Sequence, residues 1–147
     1  MTALRIVSRI IIGLVFTFSG FVKCVDPLGT AIKFGDYFQA FEMDFLVALT
    51  LPAAVLMCAI ELCIGLMLLL NIKVPWATWM TVIFMAVFTP LTLVLAIKNP
   101  VSDCGCFGDA LILTNWQTFY KNIVIDLFVV ILFLNRNKYK ELFKGFN

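Results

Sequence analysis

Apolar residues gather in four long runs, at about residues 6–22, 47–70, 76–97 and 117–134, with short polar stretches between them. A bilayer hydrocarbon core about 30 Å thick needs about 20 apolar residues in a helix. Each run meets that need, the last by including the turn that begins near Trp116. The pattern predicts an all-α membrane protein, a four-transmembrane-helix bundle forming a single domain over residues 1–147, with a basic tail at 135–147. Arg5 and Arg9 ahead of the first run imitate a signal peptide, but no small-residue cleavage site follows and three further spans do. An uncleaved first helix is expected.

The two longer polar stretches carry helix signals of their own. Asp26 followed by Pro27 is a helix start, with the carboxylate as cap and proline in the first turn. Phe34, Phe38, Phe41 and Phe45 then recur at helical spacing among Lys33, Asp36, Glu42 and Asp44. This predicts a short helix in the interface, or one that packs its Phe stripe on the bundle; either way it neighbours the second polar stretch. That stretch runs from Lys98 to Asp109. It ends before Thr114 and Gln117, which are spaced for a capping box. Trp116, Phe119 and Tyr120 suit an aromatic belt at the start of the last span.

Charge gives the orientation. Arg5, Arg9, Lys73, Arg136, Lys138, Lys140 and Lys144 fall on one side of the four spans. Lys23, Lys33, Lys98 and Lys121 fall on the other, diluted by Asp26, Asp36, Glu42, Asp44, Asp103 and Asp109. The positive-inside rule then predicts both termini in the cytoplasm and the Lys98–Asp109 loop outside, on the oxidising face of the membrane.

Composition removes several function classes. The chain is 63% hydrophobic with 15 Phe, and its mean hydropathy is +1.04. That much apolar surface faces lipid. A net charge of +2 without a basic patch excludes a nucleic-acid binder. Absence of histidine removes Cys-His and Ser-His catalysis and most zinc designs. Chemistry is left to Cys, Asp, Glu, Lys, Tyr or a bound cofactor.

The sharpest candidate is Cys104-Gly105-Cys106. Gly105 permits the bend that brings sulfurs at i and i+2 together, and Pro100 and Gly108 make the surrounding loop a turning one. A ring this small is strained, and strained disulfides exchange readily. Asp103 and Asp109 oppose thiolate formation, while Lys98 and Lys121 favour it. Cys104 and Cys106 are thus the candidate exchanging pair. A metal site is a rival reading, but no second ligand pair is present; an inert pair is another. Cys24, at the end of the first span, is either a shuttle thiol or a small residue at a helix end. Cys58 and Cys63 point to different faces of the second span and read as buried fillers. Glu61 and Asp126 lie near the middle of the second and fourth spans, where a carboxyl is costly. They handle protons beside a quinone, or lock helices by hydrogen bonds to Ser19, Thr89 or Thr92. Pro90 interrupts the third span and can kink it.

Three stretches resemble the DoxX and MauE-type family of small four-helix membrane proteins: residues 9–23, Glu61 to Gly65, and Asp103-Cys104-Gly105-Cys106-Phe107-Gly108-Asp109. The resemblance implies a redox-associated role, MauE-type members being linked to maturation of a disulfide-rich periplasmic dehydrogenase. It also implies a fold similar to quinone-linked disulfide-generating membrane enzymes. Those generally use Cys-x-x-Cys where this chain has Cys-x-Cys.

The expected function is thiol-disulfide exchange with a thioredoxin-like or cysteine-containing partner outside the cytoplasm, linked to a membrane quinone. The rival is a non-catalytic subunit that assembles a partner complex in the bilayer, as a homo- or hetero-oligomer. Transport through the Glu61 and Asp126 region is a third class.

Overall fold

The computed structural model describes residues 2–100, 105–107 and 111–139. Five α-helices carry them: α1 (Thr2–Val25), α2 (Pro27–Ala40), α3 (Thr50–Leu69), α4 (Val74–Lys98) and α5 (Asn115–Leu134). Short 3-10 helices at Asp44–Leu49 and Arg136–Lys138 complete the order, and the described residues hold no strand. The spans Ala3–Val25, Asp44–Leu69, Val74–Lys98 and Asn115–Leu134 are long and apolar enough to cross a membrane. Leu14, Ile83, Leu127 and Val130 are more than half exposed, as lipid-facing residues are. Inward, Ile12 and Phe16 of α1, Ile64 and Leu68 of α3, Ala77 and Met85 of α4, and Ile125 and Val129 of α5 share one core.

Helices in lipid gain little from hydrophobicity and associate by close packing and hydrogen bonds. Both devices are found on the two largest seams. α1 and α3, the most extensive pairing, meet through glycines. A Cβ on Gly20 would lie 2.5 Å from the Leu62 nitrogen, and one on Gly65 would strike Thr17. α4 and α5 meet through polar side chains. Asn115 donates to Asn99 Oδ1 (2.9 Å), Asn122 to Thr92 Oγ1 (3.1 Å), and Thr89 to Asp126 Oδ2 (2.9 Å).

The helix ends follow the sequence signals closely. Asp26 caps α2 by accepting from the Gly29 N–H at 2.9 Å, with Pro27 in the first turn. Thr114 and Gln117 form the expected capping box. The Phe stripe departs from expectation: α2 stops at Ala40, because Glu42 turns left-handed (φ 57°) and the Met43 N–H closes back on the Phe38 carbonyl. Phe45 therefore leaves the stripe and is 77% exposed. Phe34 and Phe41 stay, packed with Tyr37 against Leu91 and Leu95 of α4, so α2 lies on the bundle with its Phe face inward.

The first turns of α1 and the residues that follow α5 lie at one end of the bundle. Tyr139 donates its hydroxyl to the Arg5 carbonyl at 2.8 Å, and Arg9 donates to the terminal carbonyls of Leu68 and Leu69. Burial pushes the Tyr139 phenol above its ordinary value, against a smaller pull from Arg9 and Arg5. Its contribution is therefore complete below about pH 10 and is lost as pH rises through the elevated value. Tyr139→Phe keeps the packing and removes one hydrogen bond. It is expected to lower stability by about 0.5–1.5 kcal/mol, read from thermal unfolding in detergent.

Candidate functional site

Ser19 and Lys23 sit four residues apart on one face of α1, one turn above the other. Both are buried, Lys23 to 2% exposure, and both turn towards Glu61 of α3, which is 3% exposed. Lys23 Nζ lies 2.8 Å from Oε1 and 2.7 Å from Oε2, a bidentate ion pair. Lys23 also donates to the Ser19 hydroxyl at 2.9 Å. That hydroxyl has one proton to give and two acceptors in reach: Glu61 Oε2 at 2.9 Å and the Cys106 carbonyl oxygen at 2.7 Å. The cysteine-bearing loop is thereby fastened onto a buried, internally neutralised pair of charges.

Glu61 is mid-helix in α3, yet it does not lie mid-bundle relative to α1. Gly20 is beside Leu62, so the pair is level with the last turns of α1, at the loop end.

The loop itself is tightly set at Gly105. Its φ of +62° is left-handed, and a Cβ there would lie 2.9 Å from Lys33 Cγ of α2. Glycine is needed on both counts. Phe107 is buried, edge-on to Phe18 (5.6 Å), with the Lys121 ammonium 4.3 Å from its ring centre. Cys106, half-buried, opens on a cavity of about 50 Å³, lined also by Ser19, Glu61, Lys33, Tyr37 and Lys121, with Phe84 and Phe88 as an apolar wall. That volume holds a few waters and falls far short of the several hundred Å³ of a typical ligand pocket.

Asp126 belongs elsewhere. With Thr89 and Pro90 it lines an apolar groove of about 420 Å³ along α4 and α5. Met85 contributes to both the groove and the Cys106 cavity. Lys98 stands over the Phe41 ring at 6.0 Å, and the lysines that reach the Cys106 cavity are Lys23, Lys33 and Lys121. Cys104, Asp103, Gly108 and Asp109 lie outside the described residues.

A family model described as methylamine utilisation protein MauE matches residues 1–135, from α1 past the end of α5. The chain belongs to the MauE family. No curated protein and no solved structure matches it. The MauE match covers every residue of the site just described, and with four helices able to span a bilayer it makes the chain a multi-pass membrane protein.

Within this MauE-family chain the sequence analysis named Glu61, Ser19, Cys106 and Gly105, and the structure brings these together. It missed Lys23, counted among the loop cations because it lies near the end of its run. The signal was the Ser19–Lys23 spacing of four, which aims both side chains at the helix that carries Glu61. It also left Cys24 and Cys58 apart. The structure brings their thiols within interaction range, Cys24 exposed and Cys58 buried. Cys63, expected to be buried, is exposed because α3 turns that face away from α1.

Proposed function

We propose that this MauE-family protein exchanges disulfides through Cys104 and Cys106. The observation that carries the reading is the Ser19 bridge from the Lys23–Glu61 pair to the Cys106 carbonyl. A reacting thiol must be held in position, and this anchor fixes its backbone from below while leaving the side chain half-exposed. A thiolate is the attacking species, and cations favour its formation; Lys33 and Lys121 reach the same cavity. The partner in this reading is a cysteine-containing or thioredoxin-like protein outside the cytoplasm, and the family's description as a methylamine utilisation protein directs the search to that system. The loop faces that compartment in the inner membrane of a bacterium, with both termini cytoplasmic.

In exchange, one thiolate attacks a partner disulfide and forms a mixed disulfide. The second sulfur then attacks the first, releases the partner as a dithiol and closes the Cys104–Cys106 bond. The reverse order oxidises the partner. A membrane quinone does not fit the Cys106 cavity at about 50 Å³. The Asp126–Thr89 groove has the size and the apolar walls for a quinone ring. A quinone there would supply a two-electron acceptor, with Asp126 and Thr89 as the polar groups lining its place.

Mass-tagging of thiols in intact membranes tests the reading. Cys104 and Cys106 are expected to pass together from tagged to untagged on oxidation, and Cys106→Ser is expected to trap a partner on Cys104. Thiols that stay reduced under oxidising conditions, with function intact in the Cys104→Ser/Cys106→Ser double variant, would instead make the protein a non-catalytic assembly subunit.

A further inference from the structure

We infer that Cys24 and Cys58 form a second, independent dithiol that closes a reversible disulfide between α1 and α3. The helix register places them opposite each other. Gly13 lies beside Leu69, Gly65 beside Thr17, and Gly20 beside Leu62. Each step of three or four residues up α1 is matched by the same step down α3. The next step brings Cys24 level with Cys58, near enough for the two thiols to interact.

Two short side chains can meet across a helix pair only where the backbones come close. The glycines provide that approach: Gly20 and Gly65 each leave no room for a Cβ. A disulfide requires Cα atoms about 4.4–6.8 Å apart, a separation that helix pairs reach only at such small-residue crossings.

The two thiols differ in access. Cys24 is exposed on the last turn of α1, whereas Cys58 is 1% exposed and donates to the Ala54 carbonyl at 2.7 Å. An exposed thiol beside a buried one is the arrangement of an attacking and a resolving cysteine. Cys24, as thiolate, attacks one sulfur of a substrate disulfide. That S–S bond breaks and the first substrate thiolate leaves. Cys58 then attacks the Cys24 sulfur, releasing the second. The two cysteine protons end on the two released thiols, so the pair loses two electrons and the substrate disulfide gains them. The substrate class is a disulfide that reaches the interface at the end of α1.

The test leaves the Cys-Gly-Cys loop out, so its outcome is separate from that of the function proposed above. Full-length protein carrying Cys63→Ser, Cys104→Ser and Cys106→Ser is purified in detergent and equilibrated with mixtures of reduced and oxidised glutathione. Thiols are counted by maleimide mass tags, and linked peptides by mass spectrometry. Both tags are expected to disappear together in one two-electron step, with a 24–58 cross-linked peptide, and to return with reductant. Adding Cys58→Ser is expected to stop the reaction at a stable glutathione adduct on Cys24. The same stable adduct with Cys58 present, or two tags retained at all glutathione ratios, overturns the proposal. A melting temperature unchanged by the Ser replacements shows that the scaffold still folds.

Discussion

Glu61→Ala is expected to destabilise the protein by about 3–5 kcal/mol, the cost of leaving one partner of a buried ion pair without the other. The stranded group is the Lys23 ammonium, 2% exposed and held between α1 and α3. Ser19 still accepts from Lys23, but its hydroxyl is neutral and cannot supply the missing negative charge. Lys23→Ala strands the carboxylate instead and is expected to cost a similar amount. The double variant Lys23→Met/Glu61→Gln removes both charges and keeps the volume. It should recover most of the loss, because a buried pair itself is roughly balanced against its own desolvation. Thermal unfolding of the three variants in detergent decides the matter. A double variant no more stable than either single one would mean that the pair is not the source of the effect. The loop should respond as well: without the ion pair, hydrogen exchange at Gly105 to Phe107 is expected to quicken, since Ser19 loses the partners that hold it under the Cys106 carbonyl.

Gly65→Val is expected to part the α1–α3 seam. A Cβ at Gly65 would strike the Thr17 backbone nitrogen as well as its side chain. Backbone cannot rotate aside as a side chain does, so the helices must separate. Overpacking of this kind costs about 1–3 kcal/mol or more. The seam also sets the distance from Lys23 to Glu61 and from Cys24 to Cys58, so one substitution should loosen both. Slower closure of the 24–58 disulfide together with a lower melting temperature is the expected pair of readouts. Gly35→Ala in α2 is the control. The added Cβ meets only Thr50 Cγ2, at 4.0 Å, and alanine favours the helix by about 0.5–1 kcal/mol. Equal losses from Gly35→Ala and Gly65→Val would refute the close-packing account.

Elements governed by neighbours in sequence were legible before the structure. The four spans follow from the length and apolarity of each run. The starts of α2 and α5 follow from Asp26 with Pro27 and from Thr114 with Gln117, whose hydrogen bonds reach no further than three residues. The end of α2 was harder. Nothing in the Phe spacing announces that Glu42 will turn left-handed, a conformation more usual for Gly or Asn. Phe45 accordingly left the face it was expected to share.

The candidate site was legible only in halves. A carboxyl inside a span calls for a partner, and of the hydroxyls considered Ser19 and Thr89 meet a carboxyl while Thr92 does not. Ser19 reached Glu61, Thr89 reached Asp126, and Thr92 received Asn122. Lys23 was misassigned because its place near the end of an apolar run suggests solvent, while its helix face points inward. The face can be read from Gly13, Thr17, Gly20 and Cys24, a stripe of small residues spaced four, three and four apart.

The sequence by itself determined that the chain is a set of four apolar helices, with a glycine-bent pair of cysteines in the polar stretch before the last. Those properties depend on hydrophobic run length and on local caps, both written within a few residues. Only the tertiary structure decided which helices touch and at what level. That register is set by where glycines let two backbones approach. It puts Lys23 against Glu61, the Cys106 carbonyl against Ser19, and Cys24 against Cys58, none of which are neighbours in the chain.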